Sequence, residues 1–495
     1  MRNGVRNVLT GVAADDTNWR TTMQQGDVSG SDGMQVGTRH SVRVPWTLAI
    51  EATHRRKRSL ASPLTLFGGF AVVILVGAAL LLLPVSAAPG RTTSLLDALF
   101  TATSAVCVTG LVVLDTGTHW SLFGQAVVLV LIQVGGFGFM TSATLLFLVL
   151  RQRIGLRERL LVGESIGIAA PGGLVRLIRN MAFVALTIEG LGVLALLSRF
   201  SAGENPGRGV WMAVFHAVSS FNNAGFDLFG GFTSLTGWRT DAVMVTVTAV
   251  LLISGGLSYV VLADVWRHKR FARLSLDSKL VLVVSGALLL SGTVVYLIAE
   301  GGNPATLGMV TLPHRMLDAV FQSATRTAGF TTVNVNSLND HTLLFTIILM
   351  FIGGAAGSTA GGIKVNTFGI LVATVISTLR GRSQAIAFGR EFSVQQVRRA
   401  LTVAVLALTF VVVVSLTLAV TEDADILTVM FEATSAFGTV GLSMGLTPHL
   451  SVTGRLVVIT AMFVGRLGPL SVALALMQRQ RRREYGYPGE PVRIG

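Results

Sequence analysis

The sequence predicts an all-α integral membrane protein in which eight transmembrane helices form four helix/pore-loop/helix repeats around a pseudo-four-fold pore. Three observations lead to this fold class. Hydrophobic residues make up 51% of the 495 residues and charged residues only 13%, and the mean hydropathy of +0.66 lies far from that of water-soluble domains. Long apolar runs recur along the chain, and one short glycine-containing motif occurs four times between them.

Eight apolar runs approach or exceed the length that a helix needs to cross a bilayer, about 20 residues. They are Pro63 to Val85, Ala126 to Leu150, Met181 to Leu197, Ala242 to Ala263, Leu280 to Ile298, Thr342 to Leu379, Leu401 to Val420 and Leu456 to Met477. The sixth run is overlong and rich in glycine, so we expect it to break near its middle. The first run lacks the layout of a cleavable signal peptide, so we expect it to remain in the mature protein.

Basic residues cluster in alternate connections and near both ends of the chain. The clusters are Arg55 to Arg58, Arg151 to Arg159, Arg267 to Arg273, Arg380 to Arg390 and Arg479 to Arg483. Because membrane insertion retains basic loops in the cytoplasm, this pattern predicts an even number of spans with both termini cytoplasmic. The net charge of +14 then reflects topology and attraction to anionic lipid head groups, without a nucleic-acid partner.

These patterns divide the chain into six parts. They are a disordered basic cytoplasmic N-terminus at 1–60, repeat 1 at 61–170, repeat 2 at 171–275, repeat 3 at 276–385, repeat 4 at 386–480 and a cytoplasmic tail at 481–495. The first part is polar and rich in Thr, Gly, Asp and Arg, which is typical of disorder. Cys107, the single cysteine, excludes an intramolecular disulfide and a multi-cysteine metal site.

The recurring motif reads FTATSAVCVTGL, FHAVSSFNNAGF, FQSATRTAGF and FEATSAFGTVGL. Each copy begins with Phe, continues with small and hydroxylated residues, and ends at Gly110, Gly225, Gly329 or Gly441 before an apolar residue. One such turn alone would be an ordinary packing bend, but four in register among eight spans indicate a shared function. The third copy is two residues shorter between Phe and Gly, so we expect its half-helix to end differently.

Four non-helical turns at membrane depth imply a shared aqueous axis, because free backbone groups are tolerated there only beside protein or water. Half-helices ending at the axis direct carbonyl oxygens and partial negative charge towards it. A ring of carbonyls can replace the hydration shell of an alkali cation. The candidate filter residues are Val108, Thr109, Gly110, Asn223, Ala224, Gly225, Thr327, Ala328, Gly329, Thr439, Val440 and Gly441.

From residue 63 to 495 the chain resembles the Trk/Ktr/HKT superfamily of K+ transporters. The segments CVTGL, NNAGF, RTAGF and GTVGL match its four filter segments, and FIGGAAGSTAGGIKVN at 351–366 is similar to its glycine-rich intramembrane loop. In GRLGPL, Arg466 matches the pore arginine of the family. With eight predicted spans and no extra amino-terminal pair, the chain is most similar to the Ktr-type membrane subunit, KtrB.

This resemblance implies K+ uptake through a gated, channel-like pore in the bacterial inner membrane, passive or stimulated by Na+, with no covalent cofactor. It also implies a homodimer that rests on a cytoplasmic ring of KtrA-type subunits, which bind ATP or ADP. Glycine at all four filter positions implies K+ preference, because plant relatives that favour Na+ often carry Ser in place of the first glycine. The alternative is a Na+-permeable or K+/Na+ symporting relative of the same superfamily.

The resemblance assigns the gate to the glycine-rich loop and the arginine near it. The candidate gate residues are Gly357, Ser358, Thr359, Ala360, Gly361, Gly362 and Arg466. A stretch of small residues could instead serve close helix packing. An arginine within an apolar segment is costly enough to indicate function, here by contact with loop carbonyls, although a structural brace between two helices is the alternative.

Buried acids and enzyme motifs complete the predictions. Glu189 is either a hydrogen-bonded buried carboxyl or an ion site, and Glu432, Asp97 and Asp318 are expected to add negative potential near the pore mouth. The chain has no Walker loop, no HExxH motif and no plausible pair of nucleophile and base, so it is not expected to be an enzyme. Four repeats in one direction also argue against a carrier built from two inverted repeats.

Overall fold

The computed structural model describes residues 63–138, 174–201 and 206–468. The predictions for the N-terminus at 1–60, the tail at 481–495 and the basic clusters at 55–58, 151–159 and 479–483 lie outside these residues. Within the described ranges the chain is mostly helical, with fifteen α-helices and one short hairpin.

The first half of the described chain contains eight α-helices. They are α1 (Pro63–Leu81), α2 (Leu95–Cys107), α3 (Thr116–His119), α4 (Leu122–Phe137), α5 (Leu174–Phe200), α6 (Pro206–Phe221), α7 (Ala242–Gly256) and α8 (Tyr259–His268). The second half contains seven α-helices and the hairpin. They are α9 (Leu276–Glu300), α10 (Leu312–Ala324), α11 (Asp340–Phe351), α12 (Val365–Leu379), β1 (Ile386–Ala387), β2 (Arg390–Glu391), α13 (Val394–Thr421), α14 (Ile426–Gly438) and α15 (Val452–Leu467).

Three helices in the described ranges are long and apolar enough to cross a membrane by themselves: Arg176–Phe200 in α5, Leu276–Glu300 in α9 and Val394–Thr421 in α13. Their exposed surface is strongly apolar, as at Phe183, Ile298 and Val420, which are 71%, 79% and 87% exposed. Such surface suits hydrocarbon rather than water. The helices therefore identify a membrane protein, while the total of eight spans remains a prediction.

One predicted span is formed by two helices with a sharp bend between them. The run from Ala242 to Ala263 is divided between α7 and α8, which meet at an angle of 98°. Ser258 begins the second helix, because its side chain accepts a hydrogen bond from the backbone of Val261. Ser254, Gly255, Gly256 and Ser258 lie at the break, but apolar residues flank it on both sides, so hydropathy alone did not give the bend.

The break predicted in the sixth run is confirmed. Helix α11 ends at Phe351 and α12 begins at Val365. Residues 352–364 between them form a non-helical segment, and from here on "the pore loop" means this segment alone. Its two ends lie side by side, because Gly353 donates a backbone hydrogen bond to Ile363 at 2.8 Å. A Cβ on Gly353 would collide with the carbonyl oxygen of Gly361, so only glycine fits this narrow neck.

The motif helices α2, α6, α10 and α14 are the most enclosed part of the molecule. The phenylalanine that opens each copy is fully buried in all four: Phe100, Phe215, Phe321 and Phe431. Hydroxyl side chains are buried beside them, including Ser104, Ser219, Ser323 and Ser435. The motif helices therefore bury hydroxyl groups together with their phenyl rings.

Candidate ion pathway

The glycines that end the four motifs form a closed ring. A Cβ on Gly110 would collide with the backbone at Ala224, next to Gly225, and a Cβ on Gly225 would lie 2.6 Å from the nitrogen of Gly329. A Cβ on Gly329 would lie 2.8 Å from the carbonyl carbon of Gly441, and one on Gly441 would collide with the carbonyl oxygen of Thr109. Each turn therefore contacts the next in chain order, and the fourth contacts the first.

All twelve predicted filter residues belong to these four turns, which we number 1 to 4 in chain order. Ten of them are buried, and Gly329 and Gly441 are partly exposed. The side chains that follow the helix ends therefore pack into protein, whereas glycine backbone lies at the centre. This arrangement can present carbonyl oxygens around an axis, which is the chemistry that a bare alkali cation requires.

Turns 1, 2 and 4 have the same backbone. The residue two before the glycine is left-handed in each: Val108 (φ 56°), Asn223 (φ 58°) and Thr439 (φ 47°). The glycines that follow are left-handed too, with φ of 86°, 74° and 95°. Left-handed angles are costly for β-branched residues, so the surrounding protein must hold Val108 and Thr439 in place.

A serine six residues before the glycine supports each of these three turns. Ser104 Oγ accepts from the backbone nitrogen of Gly110 at 3.1 Å, and Ser435 Oγ accepts from that of Gly441 at 3.1 Å. In turn 2, Ser219 Oγ donates to the carbonyl oxygen of Phe226 at 2.6 Å. The hydroxyl residues of the motif thus fasten the turn to the end of its own helix.

Turn 3 ends differently, as its shorter motif predicts. A 3-10 turn over Thr325–Thr327 replaces the left-handed residue, and Ala328 is extended with φ −152°. Ser323 donates instead to the carbonyl oxygen of Leu289 in α9, at 2.8 Å. The support that the other turns take from their own serine is therefore directed to a neighbouring helix here.

A cavity of about 600 Å³ opens on one face of the ring. All four glycines line it, together with the segments that follow them. Its charged lining residues are Asp115, Asp227 and Arg239. Asp115 accepts backbone hydrogen bonds from Thr118 at 2.8 Å and Phe232 at 2.9 Å. The ring is therefore reached from this side through a vestibule lined by both polar and apolar residues.

The pore loop lies against the opposite face of the ring. A Cβ on Gly361 would collide with the Thr439 side chain of turn 4, and one on Gly362 would lie 3.3 Å from Gly438. The Thr359 side chain reaches Asn223 of turn 2 at 3.0 Å. Gly357 and Gly362 are left-handed, with φ of 75° and 66°. The loop thus closes directly beneath the four turns.

The remaining predicted gate residues also lie at this position. The two terminal nitrogens of Arg466 donate to the carbonyl oxygens of Thr359 and Gly135, so the arginine joins the loop to the end of α4. Ala360 is buried and accepts from the Lys364 ammonium. The Ser358 hydroxyl is buried without a hydrogen-bond partner in the described part of the chain.

Arg326 is a residue of this site that the sequence analysis missed. It belongs to turn 3 and is 7% exposed, and one terminal nitrogen donates to the carbonyl oxygens of Ile352 and, at 3.1 Å, Gly353. A second arginine therefore holds the neck of the pore loop. The signal was available, because RTAGF carries a charge where the other three copies have uncharged residues.

The acids expected to add negative potential near the pore mouth are all bonded to neighbouring side chains, and that role stays a prediction. Asp97 pairs with Arg455 at 2.5 Å, and Asp318 pairs with Arg239 at 2.5 Å. Glu432 is fully buried and accepts from the hydroxyls of Ser443 and Thr447. These carboxylates hold the outer segments together, since each is already bonded to a neighbouring side chain.

Glu189 is the hydrogen-bonded carboxyl of the two alternatives. It accepts from the amide of Gln133 at 3.1 Å and from that of Asn222 at 3.1 Å, and it is 4% exposed. Asn222 directly precedes the left-handed residue of turn 2. The cluster therefore braces the end of α6 against α4 and α5.

Known proteins resemble the chain over most of its length. The family model described as "TrkH: Cation transport protein" matches residues 70–482. The "Potassium/sodium uptake protein NtpJ" of Enterococcus hirae is 40% identical over 89% of this chain and 99% of its own. The "Ktr system potassium uptake protein B" of Bacillus subtilis is 40% identical over 85% of this chain and 94% of its own.

A solved structure has the same fold. It is the potassium transporter TrkH from Vibrio parahaemolyticus, which matches with a TM-score of 0.65 and 20% identity over 86% of each chain. This likeness shows that the chain shares the fold of that transporter over most of its length. Together with the family match over residues 70–482, it leads to one assignment: the chain belongs to the TrkH family of cation transport proteins.

Proposed function

We propose that the protein takes up K+ across the bacterial inner membrane through a gated, channel-like pore, as the membrane subunit of a Ktr-type system. The observation that carries the proposal is the glycine ring between the cavity of about 600 Å³ and the pore loop. A cation that enters the cavity meets backbone oxygens at the ring, which replace its water. Relatives named for potassium uptake at 40% identity support K+ as the ion.

The gate in this proposal is the pore loop. Residues 357–362 lie on the side of the ring away from the cavity, so a cation that leaves the ring must pass them. Arg466 places a positive charge beside the loop carbonyls, and its charge opposes a cation until the loop moves. Glycines with left-handed angles at 357 and 362 give the loop backbone freedom for that movement.

The proposal also includes the membrane topology and the assembly with other subunits. Eight spans as four helix/pore-loop/helix repeats, with both termini cytoplasmic, would place the basic connections against anionic lipids. A homodimer on a KtrA-type ring that binds ATP or ADP would supply the regulation. The name of the Bacillus relative, a "Ktr system" protein, supports a system of several components.

A second candidate is a Na+-permeable or K+/Na+ symporting pore. It is favoured by one observation, the name of the Enterococcus relative, which includes sodium. A Na+-stimulated K+ pore is the intermediate case. The two candidates differ in whether Na+ crosses the membrane, so direct measurement of both ions separates them.

The test is ion flux into proteoliposomes that contain the purified protein, with Rb+ as the tracer for K+ and with labelled Na+. We expect Rb+ uptake that exceeds Na+ uptake, and Gly110→Ser should abolish the difference or the flux, because its side chain collides with Ala224. The matched control is Gly286→Ser, at an exposed position of α9 where a Cβ meets no atom within 4 Å. Unchanged selectivity in Gly110→Ser would contradict the filter.

A further inference from the structure

Asn223 lies where three parts of the candidate pathway meet. It is the left-handed residue of turn 2 and is fully buried. Its side-chain nitrogen donates to Thr327 Oγ1 in turn 3 at 2.8 Å, and its oxygen accepts from Thr359 Oγ1 in the pore loop at 3.0 Å. One amide therefore joins two turns of the glycine ring to the loop beneath them.

The bridge does not depend on the orientation of the amide. With the group rotated by 180°, its nitrogen donates to Thr359 Oγ1 at 3.0 Å and its oxygen accepts from Thr327 Oγ1 at 2.8 Å. The same rotation lets the nitrogen donate to the carbonyl oxygens of Leu252 and Phe221, each at 3.2 Å. Because threonine hydroxyls both donate and accept, the two outer partners are bonded in either case.

Thr359 is held at each of its polar groups by a different element. Its backbone nitrogen donates to the carbonyl oxygen of Gly255 in α7 at 3.3 Å. Its carbonyl oxygen accepts from Arg466 in α15, and its hydroxyl contacts Asn223 in turn 2. A loop that moves away from the ring must therefore break the bond to Asn223.

The other left-handed positions of the ring offer no equivalent bond. Val108 has an apolar side chain, and Thr439 Oγ1 is buried without a hydrogen-bond partner in the described residues. Thr439 contacts Gly361 by packing alone. Within the described part of the pathway, hydrogen bonding between the left-handed turn residues and the loop thus passes through Asn223.

We propose that Asn223 is a positioning residue that couples the state of the pore loop to ion discrimination at the ring. With the loop docked, the amide fixes turns 2 and 3 relative to each other. When Thr359 leaves, the amide loses one anchor, and the carbonyls of both turns gain freedom. The inference rests on the proposed function, because it assigns a regulation to the same pore.

The experiment is a double-mutant cycle on Thr327→Val and Thr359→Val, with the Rb+/Na+ flux ratio in proteoliposomes as the readout. No hydrogen bond joins these two threonines directly in the described structure. We expect the double variant to differ from the product of the single effects by roughly two- to tenfold. The same cycle in an Asn223→Gly background, which keeps a residue that tolerates left-handed angles, should show independent effects.

The outcomes separate the inference from the proposed function. Independent effects in the wild-type background, or equal coupling with and without Asn223, would overturn the bridge while leaving the pore intact. Absence of any selective flux in the unmodified protein would instead overturn the proposed function. Thr327→Ser and Thr359→Ser each remove a methyl group and keep both hydroxyls, so their effects should be independent of each other; coupling as large as that of the valine pair would contradict the hydrogen-bond mechanism.

Discussion

Turn 3 and the other three turns reach the same ring by different means. Turns 1, 2 and 4 use a left-handed residue, a left-handed glycine and a serine from their own helix. Turn 3 uses a 3-10 turn, and its Arg326 reaches the carbonyl oxygens at the start of the pore loop. Three turns are therefore shaped mainly within their own segment, whereas one depends on the loop.

This difference indicates which turns a movement of the pore loop would affect most. Helix α11 follows turn 3 in the chain and leads directly into the loop, so turn 3 and the loop are joined through the backbone and through Arg326. Turns 2 and 4 contact the loop through Asn223 and Thr439. We therefore expect turn 3 to respond first to a displaced loop, and turns 1 and 4 to respond least.

The largest effect should come from alanine at the ring glycines, and it should differ between the two kinds of turn. Gly441→Ala adds a clash with Thr109 to a left-handed angle of 95°, which together cost about 2–5 kcal/mol. Gly329→Ala meets Gly441 at 2.8 Å without a left-handed angle, which costs about 1–3 kcal/mol. Thermal unfolding in detergent measures both, and a larger loss in Gly329→Ala would reverse the comparison.

Much of this architecture was predictable because short, contiguous stretches of the sequence determine it. The four motif copies, the apolar runs and the glycines at 353–362 are contiguous in the chain, and the shorter third copy already signalled a different ending. Glycine is required where a Cβ would strike backbone, and that requirement leaves a visible trace in the sequence. The ring itself could be anticipated because four equal turns share one axis.

Other features could not be predicted, because they depend on residues far apart in the chain. Asp97 pairs with Arg455, 358 residues away, so this ion pair could not be predicted from the local sequence. The bend between α7 and α8 lies within one long apolar run, whose pattern does not give the angle between the two helices. The charge of Arg326 is visible in RTAGF, but its partners could not be predicted, because the backbone carbonyls of Ile352 and Gly353 carry no sequence signal.

Removing Arg326 should have the next largest effect. The variant tests whether turn 3 depends on its contact with the pore loop. In Arg326→Met the carbonyls of Ile352 and Gly353 lose a charged donor, and such bonds contribute about 1.5–3 kcal/mol. We expect Rb+ flux without a regulatory partner to rise about tenfold or more. Arg455→Met, which removes an arginine from the Asp97 ion pair instead, is the control, and an equal rise there would contradict a specific role for Arg326.

The serines test the comparison at the level of single hydrogen bonds. Ser104→Ala and Ser435→Ala remove the acceptors of the Gly110 and Gly441 nitrogens, so the Rb+/Na+ flux ratio should fall about fivefold, for a bond of about 1 kcal/mol. Ser323→Ala removes a bond to α9. It should lower thermal stability and leave the ratio unchanged, and a fall in the ratio there would mean that turn 3 uses its serine as the others do.

The smallest effect should follow from Glu432→Gln, which compares turn 4 with turn 3 directly. Gln322 is the residue after the motif phenylalanine in the third copy, and its amide donates to Thr331 Oγ1 at 2.9 Å. Glu432 is at the same position in the fourth copy and accepts from the hydroxyls of Ser443 and Thr447. An amide can therefore replace the carboxylate, at a cost below about 1 kcal/mol, whereas Glu432→Leu should cost about 1–3 kcal/mol. Because Glu432 is buried, the K+ concentration that gives half-maximal flux should not change in Glu432→Gln. A marked increase would mean that its charge does attract the ion, which would support the role expected from the sequence.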